Sequence, residues 1–432
     1  MKLYGTKNNS RVFSFKEAVM LGIPPEGGLF VPMDLPVMDP SFFAEASKMS
    51  FPEIALELSF KVLGEEFSHT ELKSIVDKAF DFDIELRSLG NDFKVLELFH
   101  GPTLAFKDVG ARFMAGVLAS IANESDKERM ILAATSGDTG SAVASSFHNV
   151  PGIKVVLLYP SGMVSASQEK QLTTYGGNIT ALEVQGSFDD CQKLVKEAFA
   201  DTRLKNRLGL TSANSINIAR LLPQSFYYHY AASRATSKKV VFSVPTGNMG
   251  NLTGGLIASA MGLDVCKFIA AVNSNQSIPK YLSTGQHTPM PTIPTVSNAM
   301  DVGNPSNLER VISMFGNDLG KINNIIYSES FDDKMTLEAI NKVYKEHEYT
   351  MDPHTAVGYL ALESYRQSRR SLNTDYIVLS TAHPAKFSDV IARANVPAPE
   401  IPQRLKNSLR KDKSAVTIKA TLEVFKEMLD SL

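Results

Sequence analysis

From residue 94 onward the hydrophobic pattern changes period again and again. Short apolar or β-branched runs give way to helix-patterned stretches, with glycine-rich turns between them, and this alternation predicts βαβ units on parallel sheets. The runs at 130–134 (MILAA), 154–159 (KVVLLY) and 179–184 (ITALEV) predict three strands. Between them, SAVASSFHN and SASQEKQLTTYGG have helical composition, so this stretch predicts one small open sheet with helices on both faces. A second set begins at 239. KVVFSV, KFIAAV and, much later, DYIVLS read as strands of a larger sheet, and the first two are joined by the helical stretch NLTGGLIASAMGL. Before residue 93 the pattern is different: turn clusters such as IPPEGGLF mix with helical segments, SFKEAVMLG and FPEIALELSFKVLG among them.

The division that follows is an N-terminal accessory domain at 1–93, a large α/β domain made of 94–128 and 226–432, and a small α/β domain at 129–225. The stretch 273–306, with PMPTIPTVSNAMDVGNPSN at its heart, is longer than a structural connection needs and reads as a functional loop.

Composition narrows the function. A hydrophobic fraction of 44% suits a large globular core, and 44 basic against 46 acidic residues give a formal charge of −2 with no basic block, which argues against a nucleic-acid partner. No apolar stretch approaches the roughly 20 residues that cross a bilayer, and the first ten residues lack a secretory pattern, so a cytoplasmic location is expected. Cys191 and Cys266 are too few for a disulfide framework and are expected to be buried thiols. The eight histidines show no ligand spacing, so no metal centre is expected.

Four segments carry chemistry. TSGDTGSA (135–142) follows a strand and opens onto a helix, a junction that aims backbone N–H groups and a helix N-terminus at one point; the alternative is a plain turn capped by Asp138 or Thr139. PTGNMGNLTGG (245–255) also follows a strand. Its glycines let backbone approach a phosphate, and its spacing is neither the dinucleotide nor the Walker pattern. In FHGPTLAFKD (99–108) Lys107 has apolar neighbours, which favour a neutral, nucleophilic amine, although a single lysine is more often a solvated surface residue. YIVLSTAHPAKF (376–387) ends a strand in hydroxyls, where Thr381 could meet a neutral pyridine nitrogen or simply cap a turn. TSANSINIAR (211–220) adds a fixed charge, Arg220, suited to phosphate or to a surface ion pair. MDPHTAVGY (351–359) adds His354, which the sequence leaves without a role.

Taken together, LYGTKN, PPEGGLFVP, LFHGPTLAFKD, ATSGDTGSA, SANSINIAR, VPTGNMGN, MDPHTAVGY and STAHPAKF resemble, in order and over nearly the whole chain, the pyridoxal-phosphate enzymes of the tryptophan-synthase-β fold (fold type II), and within them the threonine synthases of bacteria and fungi. The resemblance implies an α/β fold of two open parallel-sheet domains plus the N-terminal domain, with pyridoxal 5'-phosphate as cofactor. It implies that O-phosphohomoserine and water become threonine and phosphate, by γ-elimination and β-addition of water. It gives Lys107 the Schiff-base role, Gly247, Asn248, Met249, Gly250 and Asn251 the cofactor phosphate, and Thr381 the pyridine nitrogen. Ser136, Gly137, Asp138 and Thr139 are then expected around the amino-acid carboxylate and the ring oxygen, with Asn214, Ser215 and Arg220 on the substrate phosphate. Many relatives on the fold carry Asn where this chain has Asp138. A monomer or weak homodimer is expected. The competing readings are a serine or threonine dehydratase-type β-eliminase, which needs no second phosphate grip, and a non-catalytic metabolite-binding relative.

Overall fold

The computed structural model describes residues 1–90, 92–122, 128–135, 137–237, 239–369 and 373–432. Its strands in chain order are β1 (Lys2–Gly5), β2 (Asn8–Ser14), β3 (Phe30–Pro32), β4 (Glu85–Ser88), β5 (Phe93–Glu97), β6 (Arg129–Ala134), β7 (Ile153–Pro160), β8 (Ile179–Gln185), β9 (Leu210–Ser212), β10 (Lys239–Pro245), β11 (Lys267–Val272), β12 (Ile326–Ser330), β13 (Thr374–Ser380) and β14 (Val416–Lys419). They form three sheets with orders β2-β1-β3, β12-β11-β10-β13-β5-β4 and β14-β8-β7-β6-β9. The strands expected from the apolar runs are all present, with ends extended by a residue or so. Their pattern is continuous because helices cover both faces: β6, β7 and β10 are almost wholly buried.

Before β4, Ser/Glu capping boxes fix the starts of three helices. Ser14 with Glu17, Ser50 with Glu53 and Ser68 with Glu71 open Phe15–Leu21, Phe51–Leu63 and His69–Ala79. The first two are the helices expected there.

Three features of the structure go beyond the sequence pattern. β4 pairs antiparallel with β5 and belongs to the six-stranded sheet, because a short, largely exposed strand can shield a sheet edge without carrying the alternation that betrays a central strand. At the other end of the chain, β14 adds parallel to β8, so the last segment of 226–432 completes the smaller sheet. Val416 and Thr417 are exposed there, and an edge strand leaves a weak hydrophobic signal. Within 273–306, Ser277–Thr284 is a helix, too short to stand out from the Pro- and Ser-rich stretch around it. Cys191 is buried as expected; Cys266 is exposed, in the turn that enters β11.

Sheet order places the candidate loops. In the six-stranded sheet the chain runs outward from β10 through β11 to β12 and returns to the other side of β10 as β13, so the segments after β10 and β13 leave in opposite directions. In the five-stranded sheet the same divergence separates β6 from β9. Ligands of open parallel sheets bind in such crevices at the carboxyl ends of the strands. The four loops there are those carrying PTGNMGN, STAHPAKF, TSGDTGSA and SANSINIAR.

Candidate active site

The four loops and the segment carrying Lys107 enclose one cavity of about 550 Å³, within the usual range for a small-ligand pocket. Lys107, Asp138, Thr139, Asn214, Ser215, Arg220, Gly247, Asn248, Met249, Gly250, Asn251 and Thr381 line it. Ser136 lies outside the described residues. Gly137 is absent from the lining: its N–H is held by Thr135 Oγ1 at 3.0 Å, and Thr135 Oγ1 also accepts from Gly140 N at 2.7 Å. Gly137 therefore acts by conformation, taking φ +135° where a Cβ would lie 2.5 Å from the Gln168 side chain.

Lys107 opens the helix Lys107–Ala122, and the turn before it is bound to the end of β13. Phe106 N donates to Thr381 O at 2.9 Å, His383 N donates to Leu104 O at 3.0 Å, and Ala105 and Ala382 form a bridge. Below the lysine, Asp108 is buried and closes the same turn by accepting from Thr103 N and Thr103 Oγ1 at 2.8 and 2.7 Å. Burial pulls the Lys107 amine down to about 8; Asp138 opposes this, and Lys386 and Arg220 add to it. Near neutral pH about a tenth of Lys107 is thus the unprotonated amine, far more than of an ordinary lysine.

Opposite stands Arg220, in the short helix Ile218–Leu221. Its guanidinium is buried and lines the cavity. Nη1 donates to Ala213 O, whereas Nε has no partner among the described residues. Burial lowers it to about 10, so it stays a cation. Gly110, one turn after Lys107, lets the two elements meet, because a Cβ there would lie 2.5 Å from Arg220 O. A buried, incompletely satisfied cation facing a cavity can bind an anion there, and its burial excludes the surface ion pair that the sequence also allowed. Asn214 Oδ1 and Asn251 Nδ2 are likewise buried without partners among the described residues.

The turn after β10 is built for close approach. Met249 takes the left-handed conformation at φ 58° and precedes the helix Gly250–Ala260. Gly247 packs on Met300, where a Cβ would lie 2.8 Å from Met300 Cα. Asn251 Oδ1 accepts from Tyr227 and Tyr228 hydroxyls at 2.6 and 2.8 Å, which aims its amide. Gly247→Ala is therefore expected to displace the turn and weaken cofactor binding at least ~10-fold, the scale of one lost hydrogen bond. Equilibrium titration with pyridoxal phosphate checks this, with unchanged thermal stability of the apoprotein as the control.

Several residues that sequence reasoning passed over complete the site. Arg310, fully buried in the helix Ser306–Met314, donates to Phe30 O at 2.8 Å and Ile216 O at 2.7 Å, and Thr211 Oγ1 and Asn217 Nδ2 both donate to Val19 O at 3.0 Å. The N-terminal segment thereby braces the loop that presents Asn214 and Ser215. His354 also lines the cavity. Its Nε2 accepts from Ala299 N at 3.1 Å, so the proton sits on Nδ1 and is donated to Asp352 Oδ1 at 2.7 Å; the ring clamps the 297–301 segment. Lys386, with its side chain fully buried, pairs with Asp138 at 2.6 Å. It lay within STAHPAKF, but no local signal distinguishes a lysine that reaches another sheet. Among the described residues no helix is long and apolar enough to cross a membrane. One group of potential metal ligands, Glu85, Glu97 and His100, lies outside the cavity lining.

The residues fit pyridoxal phosphate. A buried amine of depressed basicity, a glycine turn that a side chain would fill, and buried polar atoms left without partners are what such a group requires. Comparison with known proteins agrees. A family model described as pyridoxal-phosphate dependent enzyme matches residues 86–381, one described as threonine synthase N terminus matches 2–80, and one described as threonine synthase, C-terminal matches 355–429. The chain is 45% identical to the threonine synthase of Escherichia coli (strain K12) over 396 residues, 90% of each protein. The crystal structure of threonine synthase from E. coli superposes with a TM-score of 0.92 over the full length of both chains at 40% identity. That of the pyridoxal-phosphate-bound threonine synthase from Brucella melitensis gives 0.93 at 31% identity, covering 100% of this chain and 99% of the other. The chain belongs to the threonine synthase family of pyridoxal-phosphate-dependent enzymes.

Proposed function

We propose that this chain converts O-phosphohomoserine and water into threonine and inorganic phosphate, with Lys107 as the catalytic residue. The observation that carries the reading is the pairing, within one cavity, of an amine of lowered basicity with a buried cation that has no carboxylate bound to it among the described residues.

When bound, pyridoxal phosphate supplies an electron sink that makes protons on the carbons of an attached amino acid removable. The rest is work for the protein. Gly247, Asn248, Met249, Gly250 and Asn251 hold the cofactor phosphate at the start of a helix, where backbone N–H groups and the helix dipole favour an anion. Thr381 offers a hydroxyl at the end of β13 to the pyridine nitrogen, where a carboxylate would hold a proton. Lys107 moves protons at substrate Cα and Cβ as base and then acid. Arg220, Asn214 and Ser215 grip the substrate phosphate. Ser215 Oγ accepts from Asn248 Nδ2 at 3.1 Å, which links the two phosphate-binding loops. At the head of the helix Asp138–Phe147, backbone N–H groups of Asp138 and Thr139 with the Thr139 hydroxyl receive the amino-acid carboxylate, and Asp138 stands near the cofactor ring oxygen. Arg220 argues against a dehydratase, which releases no phosphate from its substrate and has no use for this cation.

Residues 129–225 with the C-terminal strand form the smaller unit in this reading, and the enzyme works in the cytoplasm as a monomer or weak homodimer, without a nucleic-acid partner. The near-balanced charge and the small number of cysteines support that picture.

Purified protein given O-phosphohomoserine is expected to release phosphate and threonine in equal amounts, measured by phosphate assay and amino-acid chromatography. Phosphate without threonine overturns the reading. Because only the unprotonated amine captures the cofactor aldehyde, the second-order rate of cofactor capture by the apoprotein is expected to rise with pH and level off above about 8, the value to which burial brings Lys107. Stopped-flow absorbance from pH 6 to 10 checks this; an exposed lysine would go on gaining rate past pH 10.

A further inference from the structure

Lys386 is unused by the reaction as described, yet it is the charge nearest to Asp138. It follows β13 of the six-stranded sheet, stands behind the cavity wall and donates to Asp138 Oδ1 at 2.6 Å and Thr103 O at 2.9 Å. Asp138 opens a helix of the five-stranded sheet, while Thr103 lies in the turn that carries Lys107, so one ammonium joins three elements of the site. Gln168 Nε2 donates to the same Asp138 oxygen at 2.9 Å and is held in turn by Ser165 Oγ at 3.0 Å. The carboxylate is thereby fixed at the cavity wall.

We propose that Lys386 is a positioning residue whose ammonium offsets the Asp138 carboxylate beside Lys107, so that this acid serves as a hydrogen-bonding group in the cavity wall without adding net negative charge to the site. The inference rests on Lys107 being the cofactor lysine.

The charges facing this point are Lys107, Lys386 and Arg220 on one side and Asp138 and Asp108 on the other, with His383, kept neutral largely by burial, beside Lys386. Burial raises Asp108 and its oxygens are taken up by Thr103, whereas Asp138 is the carboxylate that Lys386 pairs with directly. Burial works against it as well, but Lys386 first and Lys107 second hold it ionised. With Lys386 gone, Lys107 becomes the leading cation for that carboxylate and is kept protonated, when the chemistry needs it as a free amine. A buried ion pair adds little net stability over neutral groups of the same shape. Removing both charges should therefore undo what removing one does.

The test compares wild type, Lys386→Gln and the double variant Lys386→Gln with Asp138→Asn as full-length proteins. After dialysis to remove cofactor, Lys107 is labelled with acetic anhydride across pH and read by peptide mass spectrometry. Dissociation constants for pyridoxal phosphate are measured at pH 7. The Lys107 midpoint is expected to rise by about 1 to 3 pH units in Lys386→Gln, the span produced by an unopposed opposite charge at this range. Cofactor binding weakens in parallel in the single variant, and in the double variant the Lys107 midpoint returns close to wild type.

An unchanged midpoint in the single variant, or a double variant displaced as far as the single, overturns the proposal. Should Lys386→Gln fail to fold, a folded double variant with a wild-type midpoint supports the pairing, and a double variant that fails to fold overturns it. Labelling needs no cofactor. A wild-type protein that binds none therefore defeats the proposed function, while the midpoints still decide the role of Lys386.

Discussion

Lys107→Ala is expected to abolish turnover of O-phosphohomoserine, with a fall in kcat of at least ~10⁴-fold, the upper range for a positioned acid–base group, because in the proposed function the same side chain is also the cofactor's covalent anchor. The effect should be specific to chemistry. Lys107 makes no structural hydrogen bond or ion pair among those described, and its neighbours Leu104, Ala105 and Asp108 hold the turn through their own contacts, so the thermal midpoint of the apoprotein should move little. The visible band of the loaded protein should vanish. Near-normal kcat in the variant would transfer the chemistry to another group.

The second large effect is at Arg220. Replacing it with Met keeps much of its bulk but removes the cation, and kcat/KM for O-phosphohomoserine is expected to fall ~100-fold, about 3 kcal/mol, the upper end for hydrogen bonds to a charged group. The loss should fall mainly on KM. Cofactor affinity should stay near wild type, because the proposed function assigns the cofactor phosphate to the turn after β10, on the other sheet. Charge reversal, Arg220→Glu, should cost more, since an anion would then face a dianionic phosphate. Elimination from serine or threonine makes the useful control: a dehydratase would tolerate both changes with its own substrate, whereas a threonine synthase should lose its phosphorylated one. Equal loss of cofactor and substrate binding would instead assign Arg220 to a general structural role.

Much of this site could be read from the sequence because its parts are local. A strand ending in glycines before an apolar helix is a pattern within some ten residues, and both such turns fell where sheet order puts ligands. Lys107 gained its role from sequence only through resemblance; alone, its apolar neighbours did not separate it from a surface lysine, and the structure supplies the missing fact, its place in the cavity wall with a desolvated amine. What stayed hidden depends on contacts between distant segments. Lys386 meets Asp138 across 248 positions of chain, and Arg310 reaches Phe30 across 280. The edge strands β4 and β14 escaped because exposed residues blur the period that marks a strand. Asp138 is the instructive case. As an acid beside the cofactor lysine it conflicts with local charge logic, and the conflict is resolved by a lysine from the other sheet.

Borohydride reduction of the cofactor-loaded protein, followed by peptide mapping, tests the central claim most directly, since two lysines, Lys107 and Lys386, sit at this site. The account predicts a single phosphopyridoxyl adduct on Lys107. An adduct on Lys386, or on a lysine outside the cavity, would contradict it.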